Sequence, residues 1–176
     1  MEEPAAGFAT AEHRSPMLSL ENAFSADDLQ TFMALCATAG KPIEDLEFVV
    51  QPKVDGLPIS LVYEGGLLVR AVTRGNGRQG DVVTAQALMV RGVQPSIPTL
   101  TGAYPFSGLV EIRGEVFLPK AEFERLNAEA VAAGEEPYSN PRNTAVGALK
   151  SLDPLATQAK GLRFAAVMIT GLLCGI

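Results

Sequence analysis

Apolar and polar residues follow one another along the chain in short runs that predict both helices and strands. The segment "FSADDLQTFMALCATAG" is predicted to be a helix, with Ser25 as its N-cap, Asp28 completing a partial capping box, and Gly40 ending it. Three strand-like runs follow: Glu47–Pro52, Pro58–Tyr63 and Leu67–Thr73. The "EGG" between the last two is a turn signal, so a hairpin is expected there.

The second half of the chain continues this pattern. The run "LVEIRGEVFLP" alternates, which places its side chains on two faces: Val110, Ile112 and Val116 on one, and Glu111, Arg113 and Glu115 on the other. "DVVTAQALMVRG" is predicted as a short helix, "KAEFERLNAEAVAAG" as a helix that ends at Gly134, and "NPRNTAVGALKSLDP" as a loop leading into a helix of small residues. "RGNGRQGD" and "TLTGAYPFSG" are predicted loops, and Leu162–Ile169 a final strand. The pattern predicts an α+β fold with a mixed or antiparallel sheet core and helices packed outside.

Composition narrows the class of protein. A chain of 176 residues with 47% hydrophobic residues can bury the core of one ordinary domain. The formal net charge of -6 excludes a global basic field, so any contact with DNA must come from a local patch. Its expected source is a group of arginines: Arg70, Arg74, Arg78 and Arg91. Cys36 and Cys174 show no CxxC spacing, which suits a reducing cytoplasm rather than a zinc site or a disulfide framework.

The ends of the chain indicate neither export nor a membrane span. The acidic start "MEEPAAGF" has no apolar run typical of a secretory signal. The end, "LRFAAVMITGLLCGI", is apolar but shorter than the roughly 20 residues that a spanning helix needs. A buried strand followed by a tail is the expected structure.

The stretch "PKVDG" raises the first chemical possibility. Lys53 and Asp55 are two residues apart, so on a strand their side chains would share one face. A desolvated lysine close to other cations can act as a nucleophile, Asp55 could orient it, and Gly56 would let a ligand approach the backbone. An exposed ion pair on an edge strand explains the same residues and, on this motif alone, is favoured.

Three further segments have both a functional and a structural interpretation. "TRGNGRQGD" could present backbone N–H groups to an anion, or form a turn with solvated arginines. The carboxylates of "VEIRGEVF" could bind a ribose hydroxyl or a metal-bound phosphate, or form a solvent-facing row of salt bridges. In "SNPRN", Asn140 or Asn143 can cap the following helix, and Arg142 would lie near the helix N-terminus. His13, the only histidine, is expected to be structural rather than a base.

Taken in order, these segments resemble a known family. From about residue 13 to about residue 164, the chain is similar to the adenylation domain of bacterial NAD-dependent DNA ligases. The segments that carry the similarity are "HRSPMLSLENAFS", "PKVDG", "TRGNG", "VEIRGEVFLP" and "NPRNTAVGALKSLDP". "SPMLSL" and "NPRN" point away from ATP-dependent ligases and capping enzymes. The resemblance implies a nucleotidyltransferase fold like that of DNA ligases and mRNA capping enzymes, NAD as adenylyl donor, and Mg²⁺ held by phosphates and water.

The same resemblance implies a role for individual residues. Lys53 would attack the adenylyl phosphorus of NAD and carry AMP, with Asp55 supporting it. The remaining implied nucleotide contacts are Ser19, Leu20, Gln51, Arg74, Glu115 and Arg142. AMP would then pass to the 5′-phosphate of a nick in double-stranded DNA. No protein ligand to a metal is expected.

The chain departs from the family pattern at a few of these positions. Gln51 stands where the family has a glutamate, so its contact to adenine would lack charge. Val167 aligns with an aromatic residue that stacks on adenine, a contact worth on the order of 1–3 kcal/mol in comparable cases. Asn76 replaces an aspartate in "TRGDG", and Lys150 replaces an arginine and cannot form the same fork of hydrogen bonds.

The resemblance also sets the expected organisation. Residues 1–12 are expected to be a linker remnant, 13–169 a partial adenylation domain that is incomplete on its C-terminal side, and 170–176 an apolar tail. The protein is expected to be a cytoplasmic monomer without membrane contact. Two hypotheses remain open: the adenylation part of a ligase that forms lysine–AMP for DNA replication and repair, or an inactive, truncated relative with residual nucleotide or DNA binding.

Overall fold

A computed structural model describes residues 7–19, 21–37, 42, 45–97 and 109–170. Its contacts divide the chain into two units, residues 18–52 on the one hand and residues 1–17 together with 53–176 on the other. The predicted loop at 99–108, Gly40, Leu20 and the tail from 171 lie outside the described residues.

The helix α1 (Ala26–Ala37) lies in the unit of residues 18–52. Its predicted capping box is present, because Ser25 Oγ accepts from the Asp28 N–H at 3.1 Å and the Asp28 carboxylate accepts from the Ser25 N–H at 3.0 Å. The predicted strand Glu47–Pro52 is wrong. A strand requires a hydrogen-bonded neighbour, and residues 47–52 belong to none of the described sheets; Val50 is 95% exposed.

The larger unit is built on an antiparallel sheet of four strands: β2 (Leu57–Glu64), β3 (Leu67–Thr73), β5 (Leu109–Phe117) and β6 (Arg163–Thr170). Their order in the sheet is β3-β2-β5-β6. The predicted hairpin joins β2 to β3, and the predicted closing strand is β6. The α+β class with an antiparallel sheet is therefore confirmed.

Two short strands form a second, antiparallel pair, β1 (Thr10–Glu12) with β4 (Gln79–Asp81). Neither strand was predicted from the sequence, because three residues carry too little alternation to be recognised. Residues 10–12 were expected in a linker and residues 79–81 in a loop. In the structure both segments belong to the folded unit.

Helices cover one face of the four-stranded sheet. They are α2 (Thr84–Ala87), α3 (Lys120–Ala132), α4 (Pro141–Leu149) and α5 (Pro154–Ala159). The core includes Leu57, Ile59, Leu61 and Tyr63 from β2, Val110 and Val116 from β5, Leu126 from α3 and Leu149 from α4. As predicted, α3 ends at Gly134, which adopts φ +74° and closes the helix with a hydrogen bond from the Glu135 N–H to the Ala130 carbonyl at 2.8 Å.

The opposite face of the sheet carries polar side chains, as the alternation of β5 predicts. Glu111, Arg113 and Glu115 alternate with the apolar residues that face the core. This polar face, at the end of the sheet where β2 begins, positions the candidate site.

Candidate functional site

The candidate site lies where the "PKVDG" segment enters β2. Gly56 is buried, and its N–H donates to Glu115 Oε1 at 3.0 Å. Pro58, two residues further along, lies opposite Glu115 in the pairing of β2 with β5. A Cβ at Gly56 would overlap the carbonyl oxygen of Val116. The close approach of the β5 backbone is therefore sufficient by itself to require a glycine at this position.

Arg142 joins this segment from the start of α4. Asn140, rather than Asn143, is the N-cap: its side chain accepts from the Asn143 N–H at 2.7 Å, and Pro141 follows it in the first turn. This capping turn places Arg142 Nη1 3.3 Å from Asp55 Oδ1. Both side chains are more than half exposed, so the ion pair adds little stability but holds a cation beside the lysine segment.

Electrostatics connects Lys53 to the same cluster. Burial raises the pKa of the Glu115 carboxyl above its usual range. The Gly56 N–H and the positive charges of Lys53 and Arg142 oppose that rise in pKa, whereas the negative charge of Asp55 adds to it. Residues that are distant in sequence therefore lie within electrostatic range of one another. Lys53 itself is exposed.

Arg74 borders the site from the other side of β2. Its N–H donates to the Pro58 carbonyl at 3.0 Å, so the first residues of β2 run between Arg74 and Glu115. Ser19 and Gln51 are exposed and belong to the unit of residues 18–52. The structure thus brings together Lys53, Asp55, Glu115 and Arg142, with Arg74 directly after the neighbouring strand β3.

The glycine-rich turn that follows Arg74 uses its backbone N–H groups internally. Asn76 Oδ1 accepts from the N–H groups of Arg78 and Gln79, each at 2.9 Å. The Gly77 N–H donates to the Arg74 carbonyl at 2.9 Å, and the Asn76 N–H to the Gln79 carbonyl at 3.1 Å. The interpretation of this turn as a cradle of free N–H groups for an anion is therefore wrong for residues 76–79, because those donors are already bonded.

The carboxylate row of β5 is not a solvent-facing set of salt bridges. Glu111 is 2% exposed and accepts from Ser60 Oγ at 2.7 Å and from Arg113 Nε at 2.8 Å. The buried part of this network was not predicted from the sequence, although a glutamate and an arginine two residues apart on a half-buried strand are a signal for it. His13 is structural, as predicted, since its Nε2 lies 3.1 Å from the Arg74 carbonyl oxygen.

Two departures from the family pattern have a definite place in the fold. Val167 lies at a shift in register between β5 and β6, where Arg113 pairs with Met168 and Gly114 with Ala166. Such a bulge leaves one residue unpaired and can redirect its side chain. Lys150 forms an ion pair of 3.3 Å with the buried Asp81, which ties the end of α4 to β4.

A shallow cavity of about 350 Å³ lies elsewhere, between Tyr138, Gly147 and Lys160, and none of the predicted site residues lines it. Across the described ranges, no three His, Cys, Asp or Glu side chains are grouped so that they could hold a metal ion. Within those ranges, too, none of the helices has the length and apolar character required to cross a membrane.

Most of the chain also matches known proteins in sequence. Residues 5–172 match the NAD-dependent DNA ligase adenylation domain family. The chain is 47% identical over 165 residues to a DNA ligase of Azorhizobium caulinodans, covering 93% of this chain and 22% of that protein. It is 44% identical over 161 residues to a DNA ligase of Hahella chejuensis, covering 90% of this chain and 23% of the relative.

A third relative, DNA ligase 1 of Opitutus terrae, is 45% identical over 148 residues, which cover 84% of this chain and 22% of that protein. The chain thus spans less than a quarter of the length of these curated relatives, but almost all of it aligns with them. The protein belongs to the NAD-dependent DNA ligase adenylation domain family.

Proposed function

We propose that this chain is the adenylation part of an NAD-dependent DNA ligase, has the nucleotidyltransferase fold, and uses Lys53 as its catalytic nucleophile. The observation that carries the proposal is the convergence of Lys53, Asp55, Glu115 and Arg142 at the entrance to β2. One nucleophile, two carboxylates and a guanidinium suit a nucleotide, which offers both hydroxyl donors and a phosphate.

In the proposed step, the neutral amine of Lys53 attacks the adenylyl phosphorus of NAD. A nitrogen–phosphorus bond forms, and the bond from that phosphorus to the bridging oxygen breaks. Nicotinamide mononucleotide leaves with the bonding electrons, and the lysine nitrogen loses its proton to solvent. An oxygen of the 5′-phosphate of a nick then attacks the adenylyl phosphorus, the nitrogen–phosphorus bond breaks, and the amine of Lys53 leaves with the bonding electrons. Finally the 3′-hydroxyl attacks the 5′-phosphate, loses its proton to solvent and displaces AMP, so the strand is sealed.

The other residues would hold the nucleotide around the amine. Arg142 would face the phosphate. Asp55, whose Oδ1 lies 3.3 Å from Arg142 Nη1, would orient both Arg142 and Lys53. Glu115 would accept from a ribose hydroxyl through the oxygen that Gly56 does not occupy, and Arg74 would border the sugar and phosphate. For the adenosine end we propose contacts from Ser19, Leu20 and Gln51.

The residues present fit a nucleotide better than a bare metal ion. Asp55 is paired with Arg142, and one oxygen of Glu115 accepts from the Gly56 N–H, so these two carboxylates do not form a protein cage for a metal by themselves. Mg²⁺ would therefore be coordinated mainly by phosphate oxygens and water, as is usual for this ion. When bound, it would neutralise phosphate charge.

Nicked double-stranded DNA is the proposed macromolecular partner, for a cytoplasmic, monomeric ligase that acts in replication and repair. The arginines predicted to contact DNA differ in their exposure to solvent. Arg78 and Arg91 are exposed, whereas Arg70 is half-buried and its Nε atom is buried without a hydrogen-bond partner. We therefore expect Arg78 and Arg91 to contribute more to DNA affinity than Arg70.

The proposal is tested by transplanting this chain into a complete ligase. Residues 5–172 replace the matching segment of the Azorhizobium caulinodans DNA ligase, and the chimera is incubated with NAD and Mg²⁺. We expect intact mass spectrometry to detect one added AMP, and nicked DNA to be sealed. Lys53→Ala should abolish both, because no other amine occupies that position.

Lys120→Ala is the matched control, since the side chain of Lys120 is 90% exposed on α3. It should leave adenylation unchanged. A chimera that adds AMP equally well after Lys53→Ala would overturn the assignment of the nucleophile. A folded chimera that binds AMP but never becomes adenylated would instead support the inactive relative.

A further inference from the structure

Arg113 makes an unusual set of contacts for a residue on the polar face of a sheet. Its Nη1 donates to the Pro16 carbonyl at 3.0 Å, and its Nη2 donates to the Ser15 carbonyl at 2.6 Å and to Ser15 Oγ at 2.8 Å. These bonds connect the middle of β5 to residues 13–17, a segment that we call the strap. Two backbone carbonyls of the strap are thus held by one rigid, planar guanidinium.

The orientation of that guanidinium is itself determined by Glu111. Arg113 Nε donates to Glu111 Oε1 at 2.8 Å, and the same oxygen accepts from Ser60 Oγ at 2.7 Å. Glu111 is 2% exposed, so its carboxylate cannot exchange this partner for water. Arg113 therefore has one end anchored inside the sheet and the other on the strap.

The strap contacts the turn of residues 74–78 along its other side. The His13 N–H donates to the Arg78 carbonyl and the Met17 N–H to the Gly77 carbonyl, both at 2.8 Å. The side chain of His13 reaches the Arg74 carbonyl at 3.1 Å. The contact is close, because a Cβ at Gly77 would lie 3.2 Å from the Met17 carbonyl oxygen.

We propose that Arg113 is a positioning residue for the nucleotide site: through the strap it holds the 74–78 turn, and with it Arg74, in place beside β2. This inference rests on the proposed function only for the role of Arg74 toward a nucleotide. The mechanical part, in which Arg113 controls the strap and the strap controls the turn, stands on the hydrogen bonds alone.

The variant Arg113→Lys tests the mechanical part. Lysine keeps a positive charge beside Glu111, so the buried carboxylate stays compensated, but a single ammonium cannot hold two carbonyls as the fork does. In amide hydrogen exchange followed by NMR, we expect the N–H groups of His13, Met17 and Gly77 to exchange about tenfold faster, the factor for one lost charge-assisted hydrogen bond. The ladder between β2 and β5 should keep its protection.

Arg125→Lys is the matched control. Arg125 on α3 also bonds two carboxylates and a backbone carbonyl, those of Glu122, Glu129 and Ala159, but it does not contact the strap. It should leave exchange in the strap and the turn unchanged. Unchanged exchange at His13, Met17 and Gly77 in Arg113→Lys would overturn the inference, and so would equal acceleration throughout the sheet, which would indicate general destabilisation.

Titration of the full chain with AMP tests the functional part. We expect Arg113→Lys to raise the Kd for AMP about fivefold, less than the loss of a direct phosphate contact would. If the unmodified chain and Arg113→Lys bind AMP with the same Kd, the positioning role of Arg113 is overturned, but the proposed function is not. An unmodified chain that does not bind AMP would overturn the proposed function, and the role of Arg113 toward a nucleotide with it.

Discussion

Glu111 and Glu115 lie on the same face of β5, yet their environments shift their pKa values in opposite directions. Burial raises the pKa of Glu115, and the opposing Gly56 N–H and nearby cations do not cancel that rise. Burial also acts on Glu111, but hydrogen bonds from Arg113 and Ser60, together with the charge of Arg113, outweigh it and lower the pKa. The surroundings of Glu111 therefore favour its ionised form, whereas burial disfavours the ionised form of Glu115.

This difference predicts opposite effects of neutral substitutions on stability. When folding raises the pKa of a carboxyl group, the protein is more stable at a pH below the pKa of that group in the unfolded state. This stability is lost as the pH rises through the pKa of the group in the folded state. Glu115→Gln should therefore raise Tm at pH 7 by about 2–4 °C, corresponding to roughly 1 kcal/mol, and by less at pH 4. Its amide oxygen can still accept from the Gly56 N–H. Calorimetry at both pH values provides the measurement.

Glu111→Gln is the companion variant, with the opposite sign. A carboxyl whose pKa is lowered by folding stabilises above its unfolded pKa, and this stabilisation is lost as pH falls through the folded value. The substitution leaves Arg113 without its buried partner, so we expect Tm at pH 7 to fall by about 10 °C, with a smaller fall at pH 4. If both variants shifted Tm in the same direction at pH 7, the assignment of the two environments would be wrong.

At the scale of elements, close approach of backbones decides which glycines the fold requires. Gly56 meets the β5 backbone, and a Cβ at Gly114 would overlap the Ala165 carbonyl and the ring of Phe164. Gly147 differs, because a Cβ there would have nothing within 4 Å. It lies inside α4, where glycine is a poor helix former.

We therefore expect Gly56→Ala and Gly147→Ala to change stability in opposite directions. The first should lower the free energy of unfolding by about 1–3 kcal/mol, because β2 and β5 must move apart to admit a methyl group. The second should raise it by about 0.5–1 kcal/mol, because alanine reduces the entropy that the chain loses when α4 forms. Urea denaturation of both variants provides the comparison. A neutral Gly56→Ala would show that the backbones are not in close contact there.

At the scale of the whole molecule, the chain aligns with about a fifth of each relative. By family resemblance, lysine adenylation uses a front domain that holds the mononucleotide leaving group and later lysines that face the developing phosphate charge. Positioning of a leaving group can supply roughly 7–11 kcal/mol of a barrier. A single electrostatic contact to the transition state is worth about 3–4 kcal/mol.

We therefore expect the 176-residue chain alone to form little or no lysine–AMP with NAD and Mg²⁺, and to seal no nicks. Gln51 and Val167 should weaken adenine binding further, since neither provides the charge or the stacking of the family pattern. Intact mass spectrometry of the purified chain is the measurement. Stoichiometric adenylation that disappears in Lys53→Ala would prove this expectation wrong and would make the chain a self-sufficient nucleotidyltransferase.

The sequence by itself determined the features that depend on neighbouring residues. The capping box at Ser25, the glycine stop at Gly134 and the alternation along β5 were all predicted, because each is produced within a few residues of chain. The ordered motifs also sufficed to predict the family, since their combination is specific even though each motif alone is weak. Asn140 and Asn143 are both chemically suitable caps, so the local sequence does not distinguish them; the geometry of the turn selects Asn140.

Only the tertiary structure decided the features that need a partner distant in sequence. A run such as Glu47–Pro52 becomes a strand only if another strand is available to pair with it, and the short pair of β1 and β4 forms because the fold brings its strands together. The bonds from Arg113 to Ser15 and Pro16 cannot be read from either segment alone. Long-range burial and hydrogen bonding, not local preference, therefore determine which charged residues are exposed and which are anchored inside the sheet.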